Sequence, residues 1–120
     1  YDAALEGLPL QRPALREGLD WNSAYYPVLL PDEECRVRVE QVLKEHDIHP
    51  RRYFYPALNT LPYLKEEWRA SCPLAEDAAR RVLCLPMYGE LRGNAIKRTA
   101  QALHAALPCD RLQKAGGEAR

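Results

Sequence analysis

Two arginines directly before three aromatic residues form the stretch of this sequence best suited to meet a ligand. The run RRYFYP occupies residues 51–56. A guanidinium group binds phosphate or carboxylate through paired hydrogen bonds, and a tyrosine ring offers a flat face with a polar tip. If the run is a strand, Arg52 and Phe54 point to one face while Tyr53 and Tyr55 point with Arg51 to the other. One face would be core and the other could meet a ligand; an aromatic core strand with solvated arginines is the plainer alternative.

A complete catalytic set is not recognisable elsewhere in the sequence. Ser23 and Ser71 are the only serines, and neither lies in a Gly-x-Ser-x-Gly turn. There is no glycine-rich phosphate loop. The cysteines form no C-x-x-C pair and do not combine with the histidines at zinc-site spacing. We therefore expect reduced, structural thiols and no metal site. The four cysteines are Cys35, Cys72, Cys84 and Cys109.

Prolines and hydrophobic spacing divide the chain into short helices and strands. There are 10 prolines among 120 residues, and each fixes φ and removes a backbone donor. Strands are predicted at three aromatic or branched segments, and Pro27 in the first favours an edge position or a bulge. Asp32 is a suitable N-cap for the second of four predicted helices. The predicted helices are residues 1–8, 33–46, 73–82 and 96–107, and the predicted strands are residues 21–30, 52–55 and 83–87.

This order of elements predicts an α/β (α+β) two-layer sandwich, in which a small three-stranded sheet has helices packed on one face. The 17 basic and 17 acidic residues balance, so the chain lacks the charge pattern of a nucleic-acid binder. No apolar run approaches the ~18 residues of a membrane span. Residues 1–20 carry charges and prolines where a signal peptide would be apolar. We expect a soluble, cytoplasmic single domain with no nucleic-acid or membrane partner.

Two segments carry a resemblance to a known family. Residues 50–64, PRRYFYPALNTLPYL, and residues 72–91, CPLAEDAARRVLCLPMYGEL, resemble the C-terminal region of sugar aminotransferases of the DegT/DnrJ type. The combination of C-P-x-A-E with L-x-L-P-x-Y carries most of the resemblance, which extends over about residues 1–107. It implies the aspartate aminotransferase fold.

The resemblance also implies a domain plan. Residues 1–110 would be a single C-terminal domain, like the small domain of fold-type I aminotransferases. Within it, residues 1–8 would end the long interdomain helix and residues 9–20 would form a loop. Residues 111–120, which are rich in glycine and charge, would be a flexible tail.

The family resemblance implies chemistry as well as fold. Such enzymes use pyridoxal phosphate to transfer an amino group, usually from glutamate, to a keto-deoxysugar carried on a nucleoside diphosphate, here dTDP. The resemblance suggests Arg52 for a charged group of the substrate, and Tyr55 and Asn59 for sugar hydroxyls. Many relatives have a histidine in a P-L-H motif where this chain has Asn59. An asparagine there can hydrogen-bond but cannot titrate.

The cofactor-binding residues of the family lie in its large N-terminal domain. None of the lysines here has the family's Schiff-base context, so the resemblance implies no catalytic residue, no pyridoxal phosphate bound to this chain alone, and no activity alone. Its partners would be the missing N-terminal domain, a nucleotide-sugar substrate and a second subunit in a homodimer. The alternative is a stand-alone, non-catalytic module that self-associates or binds a nucleotide sugar. The lysines are Lys44, Lys65, Lys97 and Lys114.

Overall fold

Three helices and two strands make up the regular structure of the protein, which is a computed structural model describing residues 1–107. Two single-turn 3-10 helices, Leu58–Thr60 and Glu66–Trp68, lie in the long connection between the first two α-helices. The three longer helices lie where the hydrophobic spacing predicts them. In chain order the elements are β1 (Tyr26–Leu29), α1 (Glu33–Glu45), α2 (Pro73–Arg81), β2 (Val82–Leu85) and α3 (Gly93–Ala106). The predicted tail at residues 111–120 lies outside the described residues.

The sheet has two strands rather than the predicted three. β1 and β2 pair antiparallel, with Val28 opposite Leu83. The predicted strand at residues 52–55 is wrong: only Arg51 pairs with the edge of β2, through hydrogen bonds of 3.0 and 2.7 Å exchanged with the backbone of Cys84. The chain then turns at residues 53–54. The aromatic run therefore leaves the sheet after one residue.

Pro27 lies at the outer edge of the sheet, which confirms the edge position predicted for it. Leu29 exchanges backbone hydrogen bonds of 2.9 and 3.0 Å with Gln11 on the side of β1 away from β2. Pro27 is two residues earlier, so its nitrogen faces the same outer side, where β2 requires no donor. Its carbonyl accepts a hydrogen bond of 2.6 Å from Nη1 of Arg12.

The hydrophobic core lies between the sheet and the helices α1 and α3, which pack against each other. The apolar stripe predicted for α1 is buried at Cys35, Val39 and Leu43, whereas Val42 is only partly buried. The largest fully buried side chains come from both strands, from the residue that follows β1 and from α1 and α3, so one core joins the two layers. They are Leu30, Leu43, Leu83, Leu103, Val28 and Val39.

The start of α1 is capped as the sequence predicts. Oδ1 of Asp32 accepts a hydrogen bond of 2.7 Å from the backbone N–H of Cys35. Glu33 and Glu34 follow in the first turn, where the partial positive charge of the helix N-terminus favours carboxylates. Pro73 occupies the first turn of α2, where its missing N–H is not needed.

The predicted helix at residues 1–8 is wrong. These residues form turns, with the Leu5 N–H bonded to the Tyr1 carbonyl at 2.9 Å and the Leu8 N–H to the Leu5 carbonyl at 3.2 Å. Gly7 has a φ of +84°, a conformation that interrupts a right-handed helix. The apolar face is nevertheless used, because Leu5 is buried in the core and Tyr1 packs against it.

The described cysteines are not all reduced. Cys72 and Cys84 are free, but Cys35 is disulfide-bonded. The expectation of reduced thiols is therefore wrong for Cys35, and Cys109 lies outside the described residues. Burial raises the pKa of the Cys84 thiol above its ordinary value, which keeps it protonated at neutral pH.

Candidate functional site

The predicted substrate-contacting residues lie in the connection between α1 and α2, in a segment that we call the aromatic loop, residues 51–59. The loop begins at the edge of the sheet, where Arg51 is bonded to the backbone of Cys84. It ends in the 3-10 helix Leu58–Thr60. Both ends of the loop are therefore held by defined structure.

Arg52 and Tyr55 lie together within this loop. Cζ of Arg52 is 3.6 Å from the centroid of the Tyr55 ring. Nη2 of Arg52 donates to the Ala79 carbonyl at 3.1 Å, and its Nε is buried without a hydrogen-bond partner. Strand alternation had predicted opposite faces for Arg52 and Tyr55. That prediction is wrong because the chain turns at residues 53–54.

Asn59 joins the aromatic loop to the start of α2. Its Nδ2 donates to the Ala70 carbonyl at 2.8 Å and to Oε1 of Glu76 at 2.6 Å. The same Glu76 oxygen accepts a hydrogen bond of 3.3 Å from the backbone N–H of Cys72. The hydrogen bond from Asn59 is the main cause that lowers the pKa of Glu76 below its ordinary value, followed by the bond from Cys72.

The C-P-x-A-E motif thus has a physical role here. Cys72 is the N-cap residue of α2, and its side chain makes no capping bond. Glu76 supplies a carboxylate that reaches back to the Cys72 N–H and across to Asn59. We call this arrangement the Asn59–Glu76 clamp. Sequence reasoning missed it, although the glutamate of the C-P-x-A-E motif, one helical turn after the cap, was its visible signal.

An apolar cleft of about 530 Å³ opens beside the clamp. Asn59 lies in its wall, and Phe54, Leu58 and Trp68 contribute exposed apolar side chains. Tyr55 lines a separate hollow of about 200 Å³ that also contains Glu76. The structure therefore places Asn59 and Tyr55 in neighbouring hollows, and Arg52 lines neither.

A second group of polar side chains, which sequence reasoning missed, lies on the other side of the aromatic loop. Tyr25, Tyr53 and Tyr88 line a pocket of about 260 Å³ together with Arg51 and His49. We call it the tyrosine pocket. Its signals were the AYYP and LPMY segments, whose tyrosines come together only once β1 and β2 have paired.

Residues 1–107 contain neither a grouped set of metal ligands nor a helix able to span a membrane. No three His, Cys, Asp or Glu side chains in this range are grouped to hold a metal ion. No helix in it has the length and apolar character required to cross a bilayer.

Comparison with known proteins identifies the family. The profile of the DegT/DnrJ/EryC1/StrS aminotransferase family matches residues 1–104. The chain belongs to this family. Aminotransferases of this family depend on pyridoxal phosphate.

Two curated relatives are transaminases of dTDP-sugars. The chain is 32% identical over 87 residues to the dTDP-4-amino-4,6-dideoxy-D-glucose transaminase of Escherichia coli, a match that covers 68% of the chain and 24% of that protein. It is 34% identical over 111 residues to the dTDP-4-dehydro-2,3,6-trideoxy-D-glucose 4-aminotransferase of Saccharopolyspora spinosa, covering 89% of the chain and 27% of that protein. The chain therefore spans about a quarter of the length of these relatives.

A solved structure shows the same fold. The aminotransferase TlmJ from Streptoalloteichus hindustanus superposes with a TM-score of 0.73 at 23% sequence identity. The match covers 88% of this chain and 28% of that one. At this identity the likeness concerns the fold alone.

The lysines of the described part do not fit covalent attachment of pyridoxal phosphate. Such a lysine must be desolvated or placed near another cation to become a nucleophile. Lys44 is exposed and paired with Glu40 at 3.1 Å, Lys65 lies 4.9 Å from the centroid of the Trp68 ring, and Lys97 is exposed. None of these three lysines is therefore placed to hold the cofactor covalently.

Proposed function

We propose that this chain is the C-terminal, small-domain part of a nucleotide-sugar aminotransferase. The complete enzyme would transfer an amino group from glutamate, through pyridoxal phosphate, to a keto-deoxysugar carried on dTDP. The family match over residues 1–104 is the observation that carries this proposal. The printed activities of the two curated relatives, both on dTDP-sugars, support the substrate class.

In this proposal the domain plan has the boundaries expected from the sequence. The small domain spans residues 1–110, and the packing of residues 1–107 around one core supports that extent. The Schiff-base lysine and the remaining cofactor contacts come from a large N-terminal domain. The chain alone is therefore inactive, since none of its described lysines is buried.

The aromatic loop supplies substrate contacts in the complete enzyme. Arg52 would bind a charged group through the accessible part of its guanidinium, because the side chain is only partly buried and is held in place by the bond from Nη2 to the Ala79 carbonyl. Tyr55 would bind a sugar hydroxyl, because it is 52% exposed. Asn59 would present its side-chain carbonyl to a second hydroxyl, while its amide nitrogen stays bonded to Glu76.

The large domain and a second subunit would cover the exposed apolar surface beside this loop. Phe54, Leu58 and Trp68 expose 71, 76 and 60% of their surface around one cleft. Monomeric soluble proteins rarely leave large contiguous apolar patches in water. This surface supports the proposed homodimer and the proposed large-domain partner.

A chimaera tests the proposal. The matching quarter of the E. coli transaminase is replaced by this chain, and transfer from glutamate to a dTDP-4-keto-6-deoxyhexose is followed with pyridoxal phosphate present. We expect activity from the chimaera, and none from this chain alone or from the E. coli enzyme lacking that quarter. Transamination by the chain alone, or a folded chimaera that binds cofactor but does not turn over, would contradict the proposal.

A stand-alone module remains the second candidate, and the same exposed apolar surface favours it. Such a module would use the surface to self-associate or to bind a nucleotide sugar weakly. Light scattering across a concentration series measures its mass. Growth of the mass with concentration supports this candidate, and a constant monomer mass counts against it.

A further inference from the structure

Three tyrosines from separate parts of the chain converge at the tyrosine pocket. Tyr25 directly precedes β1, Tyr53 belongs to the aromatic loop, and Tyr88 follows β2. The rings of Tyr25 and Tyr53 meet edge to face, with centroids 5.3 Å apart and planes at 70°. Tyr25 and Tyr88 remain 48 and 59% exposed, so these rings line an open pocket and do not fill the core.

Arg51 and His49 give this pocket two nitrogen-bearing side chains that can donate to an anion. Cζ of Arg51 lies 5.9 Å from the centroid of the Tyr53 ring. Within residues 1–107, the Arg51 side chain makes no hydrogen bond or ion pair. His49 lines the same pocket, and its Nε2 lies 3.0 Å from a carboxylate oxygen of Asp47. Among the described residues, no aspartate or glutamate lines the pocket itself.

These properties select a ligand that is both flat and anionic. A planar heterocycle stacks on tyrosine faces, and a guanidinium group binds phosphate oxygens in pairs. The tyrosine hydroxyls and the Arg51 guanidinium add hydrogen-bond donors that are not bonded to any described residue. The apolar floor, which includes Leu85 and Met87, suits the body of a ring better than a free inorganic anion.

We propose that the tyrosine pocket binds the nucleoside diphosphate end of the substrate, with the base against Tyr25 or Tyr88 and the phosphates at Arg51 and His49. This inference rests on the proposed function, because it assumes a nucleotide-sugar substrate. The aromatic loop would then serve both ends of that substrate. Its residues Arg51 and Tyr53 hold the nucleotide, and residues further along face the sugar.

Calorimetric titration of the 120-residue chain with dTDP tests the inference, with thymidine and pyrophosphate titrated separately. Arg51→Gln and Tyr88→Ala should each weaken dTDP binding about tenfold or more, equivalent to at least ~1.4 kcal/mol. Both side chains are exposed, and the Arg51 bridge to Cys84 uses backbone atoms only. Circular dichroism verifies that each variant is folded.

Matched controls are available elsewhere on the surface. Arg16→Gln and Tyr63→Ala alter exposed residues of the same types outside the pocket, and should leave dTDP affinity unchanged. Absence of dTDP binding by the folded chain overturns the inference, as does equal binding by Arg51→Gln and Tyr88→Ala. Pyrophosphate bound as tightly as dTDP also overturns it, since the pocket would then be a simple anion site.

The chimaera separates this inference from the proposed function. If the chimaera transaminates but its Arg51→Gln and Tyr88→Ala forms keep the same KM, the function stands and the pocket assignment fails. If the isolated chain binds dTDP through these residues but the chimaera is inactive, the pocket stands and the aminotransferase proposal fails.

Discussion

Replacing Leu103 by alanine should destabilise the domain by about 3–5 kcal/mol. Leu103 lies on α3 with none of its surface exposed, in the cluster that contains Val39 and Leu43 of α1. Removing three buried carbon groups at ~0.8 kcal/mol each costs about 2.4 kcal/mol in lost burial. The cavity left behind adds to this, because a packed interior relaxes only in part; buried Leu→Ala substitutions range over about 2.7–5 kcal/mol.

Urea unfolding of the 120-residue chain, followed by far-ultraviolet circular dichroism, measures this free energy. The matched control is Leu74→Ala, the same substitution in α2 at a position that is 86% exposed. It should change the free energy of unfolding by no more than ~0.5 kcal/mol. A cost below ~1 kcal/mol for Leu103→Ala, or equal costs at the two sites, would refute the packing of α3 against α1 described here.

Three further changes follow from individual contacts. Asp32→Ala should lower the free energy of unfolding, measured by thermal denaturation, by about 1 kcal/mol because it removes the N-cap of α1. Asp32→Asn should keep most of this stability, because an asparagine can also accept the capping bond. Equal losses in the two variants would contradict the cap. Burial, then the hydrogen bond to Asp2, raise the pKa of Tyr26 from 10.0 to about 12, so the folded state favours the neutral phenol. The contribution of Tyr26 to stability is fully present below pH 10.0 and is lost as the pH rises towards about 12. Over this range the urea midpoint should fall less in Tyr26→Phe than in the unaltered chain. An equal fall in the two proteins would rule out Tyr26 as the cause. In the chimaera, Asn59→Ala and Glu76→Ala should each lower kcat/KM while the chain stays folded, because each substitution removes one partner of the Asn59–Glu76 hydrogen bond. Unchanged kinetics would show that the Asn59–Glu76 clamp is not part of the site.

The helices were predictable because their signals are local. The N-cap at Asp32 and the proline that opens α2 act within one turn of chain, and the buried stripe of α1 repeats at helical spacing. Pro27 was equally informative, since a residue without an N–H is tolerated only where the sheet requires no donor. The structure confirms each of these predictions.

The two wrong predictions of secondary structure, in contrast, concern segments whose backbone is decided by contacts distant in sequence or by a single glycine. Residues 52–55 have the composition of a strand, but pairing would need a partner along the edge of β2, and the chain turns away after Arg51. Residues 1–8 have helical spacing, but Gly7 interrupts the helix while tertiary contacts still bury Leu5. Local pattern therefore identified the apolar face of residues 1–8 without identifying their backbone, whereas for residues 52–55 it identified neither the backbone nor the buried face.

The candidate site was predictable only in part. The aromatic loop was found from residue type, and Asn59 from the family resemblance. The partner of Asn59, Glu76, lies 17 positions away and is brought to it by the fold. The tyrosine pocket draws on residues as far apart as Tyr25 and Tyr88, whose proximity depends on the antiparallel pairing of β1 with β2.

The saturated edges of the sheet limit how this domain can meet another molecule. Along the outside of β1, Leu29 is bonded to Gln11, and Pro27 has no N–H to offer. Along the outside of β2, Cys84 is bonded to Arg51, and the N–H of Val82 is bonded within the end of α2. Neither edge can template an incoming strand, which is the usual route to cross-β aggregation. Within residues 1–107 the sheet therefore does not favour assembly by strand addition, and contacts through surface side chains could be altered by substitution without disturbing the sheet.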